Sequence, residues 1–364
     1  MDQGPQTRAM IRLRLSRHDG LLLLMTVIWG VNYSIVKVAL REIPPLAFNS
    51  LRLGLASLLF LATIAVCRRA SEGPKVGPST GSGRDELVPR RDSDGSGVGP
   101  SDFRTSRLSD VAAAVLPVFQ RTRISPRDWF LIAGFGLIGH FIYQLCFLFG
   151  LDKTTAANSA LILGCSPVVV ALLSAALGQE RVHPLHWAGA ALSVLGIYVV
   201  VGRGAHLGGA TLTGDLLTIG GLLCWGIYTV GVRGLLDRHS PLEVTGYSMA
   251  IGTVPYVLLA IGELRNFGWH TVPGVAWAAL VLSGIFALYV AYLIWYVAVQ
   301  RIGNIRTAMY SNLTPIAALV VAVVWLGEQL TRTEIAGAVA ILAGMAITRL
   351  VRTSVARTVA PAEE

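Results

Sequence analysis

The chain predicts an all-α membrane protein of ten transmembrane helices, arranged as two inverted five-helix repeats, and three observations carry that prediction. Its 364 residues are 53% hydrophobic and only 14% charged, against about 25% charged in an ordinary soluble domain. Apolar runs recur along it at the length a helix needs to cross a hydrocarbon core about 30 Å thick, which is about 20 residues. The order of features in the first half returns in the second.

The runs lie near residues 20–40, 46–67, 128–150, 155–177, 184–202, 212–236, 241–262, 272–298, 305–326 and 331–350. Each is too long for a barrel strand of about 9–11 residues, and none alternates polar with apolar. The first follows a basic segment, as a signal peptide does, but it is long and has no small-x-small cleavage site, so it reads as an uncleaved span. Between the second and third runs, residues 70–125 are rich in Gly, Ser, Pro, Arg and Asp. They bury too little apolar surface to offset the cost of ordering them, and disorder is expected. Within them VAAAVLPVF, residues 111–119, is too short to cross. The fourth and ninth runs carry a proline near mid-span, Pro167 and Pro315. A turn with Glu180 or Glu328 precedes the fifth and the tenth, where an acidic side chain can bind free amides at a helix start and oppose its dipole. Gly189 and Gly196, like Gly337 and Gly344, stand seven apart on one helix face. Such a face permits close helix contact, for packing or for a homodimer.

A formal charge of +9 is the footprint of many nucleic-acid binders, but here its placement is topological, and no nucleic acid is expected. With residues 1–19 placed in the cytoplasm, the basic residues crowd the inner loops, and only Arg41, Lys153, Arg203, Arg265 and Arg332 fall outside. Both termini, including the tail 351–364, are therefore expected in the cytoplasm of a multi-pass protein of the cell (inner) membrane. Cys67, Cys146, Cys165 and Cys224 sit in or at the end of apolar runs, without disulfide or metal spacing. No cofactor or metal is expected.

The repeat is explicit. At an offset of 196, Trp29-Gly30 falls on Trp225-Gly226, Val36-Lys37 on Val232-Arg233 and Pro45-Leu46 on Pro241-Leu242. At an offset of 148, Ala160, Pro167, Glu180, Gly189 and Gly196 fall on Ala308, Pro315, Glu328, Gly337 and Gly344. The 48 residues of difference are the insert near 70–125. The repeats are thus 20–202 and 203–350, and an odd number of spans in each inverts the second relative to the first.

Five plus five spans, Trp-Gly early in each half, a mid-helix Pro in each fourth span and a Gly-x-Glu or Gly-Glu turn before each fifth resemble the EamA-type family of the drug/metabolite transporter superfamily. The resemblance covers the chain apart from the insert, which departs from the family's short second loop. It implies export or exchange of amino acids, related metabolites or amphipathic compounds through a central cavity. Inverted repeats suit alternating access, in which each half can take the conformation of the other. The chain shows no Gly-rich phosphate loop with Lys and Ser or Thr and no catalytic cluster, which leaves a secondary transporter rather than an enzyme. An exchanger of a larger anion such as a nucleotide sugar is the alternative within transport. A membrane receptor, a scaffold or an intramembrane enzyme is the alternative outside it.

Several residues could carry such transport. Pro167 and Pro315 lack an amide hydrogen and release the carbonyls of Leu163 and Ser311 at membrane depth. Breaks at matching places in two halves point to a central site, and Ser166, Asn312 and Thr314 stand beside them. Arg52 begins about 9 Å into the second span, where a charge costs about 2.5–3.5 kcal/mol, so it faces a cavity or snorkels. Lys37 lies nearer the outer end and is expected to snorkel. Together they would suit a carboxylate. Trp29, Asn32, Tyr33, Tyr143, Gln144, Trp225, Tyr228, Tyr292 and Asn312 are the aromatic and amide residues expected around a small-molecule solute. His140, central in the third span, is the proton-coupling candidate, because imidazole titrates in the useful range.

Overall fold

The computed structural model describes residues 17–71, 123–179, 184–207 and 209–349. The insert's residues 72–122, Glu180 and the two tails, with the disorder and cytoplasmic placement expected of them, lie outside these residues. All regular elements among the described residues are helical. α1 is Arg17–Leu40 and α2 is Pro45–Ser71. α3 is Pro126–Lys153, with a π-helical segment at Leu137–Ile142. α4 is Ala156–Ala176, interrupted at Cys165. α5 is Pro184–Leu207, α6 is Gly209–Gly231 and α7 is Pro241–Asn266. α8 is Gly274–Ile302, π-helical over Ser283–Val290. α9 runs over 304–326 and contains a 3₁₀ turn at Ser311–Leu313; α10 is Arg332–Arg349.

Seven of these, α1 to α4 and α6 to α8, are long and apolar enough to cross a membrane. Shorter apolar stretches, Trp187–Gly196 and Thr314–Leu326, lie in α5 and α9. Local chemistry sets the bounds. Ser125, Thr155 and Ser240 accept the amide hydrogens of Asp128, Asn158 and Glu243, which caps α3, α4 and α7. Gly178 after α4 and Gly327 after α9 take positive φ, 66° and 67°, where a Cβ would be strained.

Around an apolar core, large apolar side chains also face outward and several polar ones are buried. Leu58, Leu258, Phe130 and Val324 stand exposed, while Asn49, Arg52, His140, Gln144 and Ser159 are buried. Exposed apolar side chains suit helices solvated by hydrocarbon, where the backbone polar groups are satisfied within each helix.

The packing relates matching helices. α2 runs along α7 so that Ala47 N–H meets Glu263, Ser57 Oγ lies 3.0 Å from Thr253 Oγ and Arg68 meets Glu243. As one number rises the other falls, so the two helices are antiparallel. Ser57 and Thr253 are themselves equivalent at the offset of 196. α5 and α10 cross in the same sense, with Gly344 against Gly189 and Ser193, and Gly196 against Gly337 and Ile341. The glycine faces singled out in the sequence therefore meet each other within the chain. Gly30 of α1 packs on Ala317 of α9, and its equivalent Gly226 of α6 packs on Val169 of α4. α6 lies along α3 as α1 lies along α8.

Contacts near the chain turns fall into two groups. Asp128 bonds Arg238 and His239, and Asn304 donates to Gln179 at 3.0 Å; both join turns expected on the inner side. Lys37 Nζ donates to the Asp152 carbonyl at 3.2 Å, and Glu328 accepts from Ala156 and Ala157 at 2.9 and 3.1 Å; both join turns expected on the outer side. Glu328 therefore does cap a helix, but that helix is α4 rather than the following α10. The left-handed Gly327 reverses the chain just before Glu328. The start of α10 instead has Glu334 accepting from the Thr331 amide and hydroxyl, both at 2.7 Å.

Candidate functional site

A cavity of about 70 Å³ lies where α1, α2, α3, α4, α6, α8 and α9 meet. That is room for a handful of waters, each needing about 10–15 Å³. Its wall includes eight of the residues expected to contact solute, Trp29, Asn32, Tyr33, Arg52, Tyr143, Gln144, Trp225 and Tyr292. Phe147, Leu163, Gly164, Ser166, Ala287, Leu288, Ser311 and Thr314 complete it. Tyr228 is buried but stands behind the wall, and the side chain of Asn312 lies outside the described residues.

Two matching tryptophans form the aromatic part. Trp29 and Trp225 meet edge to face at 5.5 Å, and Tyr292 closes on both at 6.1 and 5.4 Å. The π-helical part of α8 holds Trp29 in place. There Ala291 N–H donates to Phe286 O, five residues back, and the Ala287 carbonyl accepts Trp29 Nε1–H at 3.0 Å. The π segments of α3 and α8 overlap at the offset of 148. π-bulges gather at functional sites, and hydropathy carries no sign of them.

The two broken helices meet at the cavity's edge. α4 stops at Gly164 and restarts at Ser166, with Pro167 in the first turn of the new segment; in α9 the 3₁₀ turn Ser311–Leu313 precedes Thr314 and Pro315. Gly164 packs directly on the Pro315 ring, and Ser166 Oγ lies 3.3 Å from Ser311 Oγ. A side chain at position 164 would collide with that ring, so glycine is required for the breaks to touch.

Arg52 is fully buried and does not snorkel. Its Nε donates to Asn49 Oδ1 at 2.9 Å, Nη1 to Ser283 Oγ at 3.0 Å and Nη2 to Gln144 Oε1 at 2.8 Å. Ser283 in turn donates to Asn32 Oδ1 at 2.6 Å, and Gln144 Nε2 to Tyr292 Oη at 3.4 Å. Phe48 and Phe147 lie within 5.4 and 5.9 Å of the guanidinium. No described carboxylate pairs with it. Sequence reasoning passed over Ser283; its signal was a hydroxyl in the middle of an otherwise apolar span.

His140 is buried one step further out. Its Nε2 lies 3.0 Å from Tyr228 Oη and 3.2 Å from Ser248 Oγ, while Nδ1 has no partner among the described residues. Its ring is 5.6 Å from that of Tyr292, which places it next to the cavity wall without lining it. Among the described residues no group of three or more His, Cys, Asp or Glu could hold a metal.

Comparison with known proteins places this architecture. The model of the EamA-like transporter family matches residues 17–78, 98–202 and 212–350. A probable amino-acid metabolite efflux pump of Salmonella typhimurium is 27% identical over 92% of this chain and 95% of its own length. Its namesake from Escherichia coli is 25% identical over the same shares. A probable terminal-alkyne amino-acid exporter of Streptantibioticus cattleyicolor is 31% identical over 65% of this chain and 78% of its own. A solved crystal structure shares the fold at a TM-score of 0.57 and 19% identity, covering 91% of this chain and 96% of that one. The chain belongs to the EamA-like transporter family, and it is a multi-pass membrane transporter rather than an enzyme.

Proposed function

We propose that the protein is a secondary transporter that exports or exchanges a small organic metabolite, an amino acid or an amphipathic compound, by alternating access through the central cavity. The observation that carries the reading is the cavity itself, lined by matching residues from both halves and bordered by two helix breaks in contact. In this reading the ten helices are two inverted repeats, 20–202 and 203–350, with both termini in the cytoplasm and the chain in the cell (inner) membrane. The antiparallel contacts of α2 with α7 and of α5 with α10 support the inversion. Its partners are the solute and the bilayer. A homodimer would use surfaces other than the glycine faces of α5 and α10, which are occupied within the chain.

Trp29, Asn32, Tyr33, Arg52, Tyr143, Gln144, Trp225, Tyr292 and Asn312 are assigned to solute contact, with Tyr228 supporting the wall from behind. The cavity as it stands admits only a few waters, so the Trp29, Trp225 and Tyr292 rings must part to admit an amino acid. Pro167 and Pro315 supply the interruptions about which α4 and α9 rearrange. His140 is assigned the coupling proton: its unpartnered Nδ1 can accept one, and the ring sits against Tyr292 of the wall. The relatives' names support an amino-acid-like cargo.

The test is a growth screen of overexpressing cells against toxic amino acids and amphipathic compounds, followed by flux in inverted vesicles. Resistance with matching flux, lost in Trp29→Ala at unchanged protein level, is expected. Overexpression that confers no resistance and moves none of the compounds would contradict the reading.

A further inference from the structure

We infer that Arg52 is a charge filter: the solute carries a single carboxylate that docks on this guanidinium, with the rest of its body against Trp29, Trp225 and Tyr292. The inference rests on the proposed transport role and names the solute's class. A guanidinium has five N–H donors, and three are engaged by Asn49, Ser283 and Gln144, which leaves two on a residue that lines the cavity. Every acceptor it meets is neutral, and the positive charge is balanced by no described carboxylate. A buried cation held only by neutral partners is a site with one charge missing, and the planar fork matches a carboxylate in two-point contact.

The repeat provides an internal comparison. At the offset of 196, Arg52 corresponds to Ser248, and at 148 Gln144 corresponds to Tyr292. In the second half that position forms a neutral cluster, with Ser248 Oγ 2.6 Å from Tyr228 Oη and both on His140. A cation needed only to hold matching helices together would have no reason to stand on one side alone. The asymmetry makes the site polar, with a positive end at Arg52 and an aromatic end at the tryptophans. The ammonium of a zwitterion would then face ring surfaces, which attract cations, whereas a second carboxylate would find no counter-charge.

The test uses the full-length purified protein and three probes of one shape: 3-phenylpropionate, its primary amide and 3-phenylpropylamine. Binding is read from concentration-dependent protection against thermal unfolding. The acid is expected to half-saturate at a concentration at least tenfold below the amide and the amine. Gln144→Glu replaces only the amide nitrogen that faces Tyr292 Oη and makes the acceptor of Nη2 part of an internal anion. It is expected to abolish the acid's advantage while leaving the unfolding temperature of the free protein unchanged or raised, so loss of binding cannot be ascribed to loss of fold. Arg52→Lys keeps the charge without the fork and is expected to retain a reduced preference. Equal protection by acid and amide, no protection by the acid, or an undiminished acid preference in Gln144→Glu overturns the inference. Export measured in cells separates the two readings: selective acid binding without export contradicts transport, and export with no acid preference contradicts only the filter.

Discussion

Replacing Gly344 with alanine tests the close antiparallel contact of α5 with α10. A Cβ there would lie 2.5 Å from the Gly189 carbonyl and 2.8 Å from the Ser193 amide, and would collide with Ser193 Oγ. Two of those three atoms are backbone, so the helices must separate rather than a side chain turn aside. Overpacking of this kind costs about 1–3 kcal/mol, against which alanine regains about 0.5–1 kcal/mol of helix propensity. The net loss expected is centred on about 1 kcal/mol and reaches at most about 2.5 kcal/mol. Gly196→Ala, the matching change, would place its Cβ 2.7 Å from Ile341 Cγ1 and 2.8 Å from the Gly337 carbonyl, and should cost a similar amount. Gly262→Ala in α7 meets nothing within 4 Å and should be neutral or stabilising. Equilibrium unfolding of the purified protein by denaturing detergent, followed by circular dichroism, compares the three. If Gly344→Ala unfolds with Gly262→Ala and wild type, the close approach of α5 and α10 is wrong.

Other consequences follow from single contacts. Glu328→Gln weakens the cap that the turn after α9 places on α4, and should cost about 1 kcal/mol in the same unfolding measurement; no change would show that the Ala156 and Ala157 amides find other acceptors. Gly164→Val forces the two helix breaks apart at Pro315 and should abolish vesicle flux at normal protein level, whereas retained flux would show that their contact is not needed. His140→Ala should lose uphill flux driven by a pH gradient yet keep solute exchange, and full uphill flux in that variant would remove His140 from coupling.

Much of this was legible in the sequence because it is written in one dimension. Run lengths locate the helices, and self-alignment pairs Trp29 with Trp225 and Pro167 with Pro315. Seven of the named aromatic and amide residues line the cavity beside Arg52, because such side chains within lipid-spanning segments have few other places to go. What stayed hidden depends on which faces meet. Glu328 looked like the start of α10 from its neighbours in sequence, yet the reversal at Gly327 sends it to α4. Tyr228 has the chemistry of a wall residue, but its hydroxyl is taken by Ser248 and His140 on the far side. The π segments arise from a hydrogen-bond shift by one residue, which leaves hydropathy unchanged, so they could not be read from composition, whereas Ser283 left a hydroxyl in an apolar span as its signal.

In the proposed mechanism a chamber between two inverted halves opens to each face of the membrane in turn. The direct measurement is labelling of Ser311→Cys, in a background lacking Cys67, Cys146, Cys165 and Cys224, with a membrane-impermeant maleimide added to right-side-out and then to inverted vesicles. The account predicts labelling from both faces, slowed from both by transported solute. Labelling from one face only, or from neither, would contradict it.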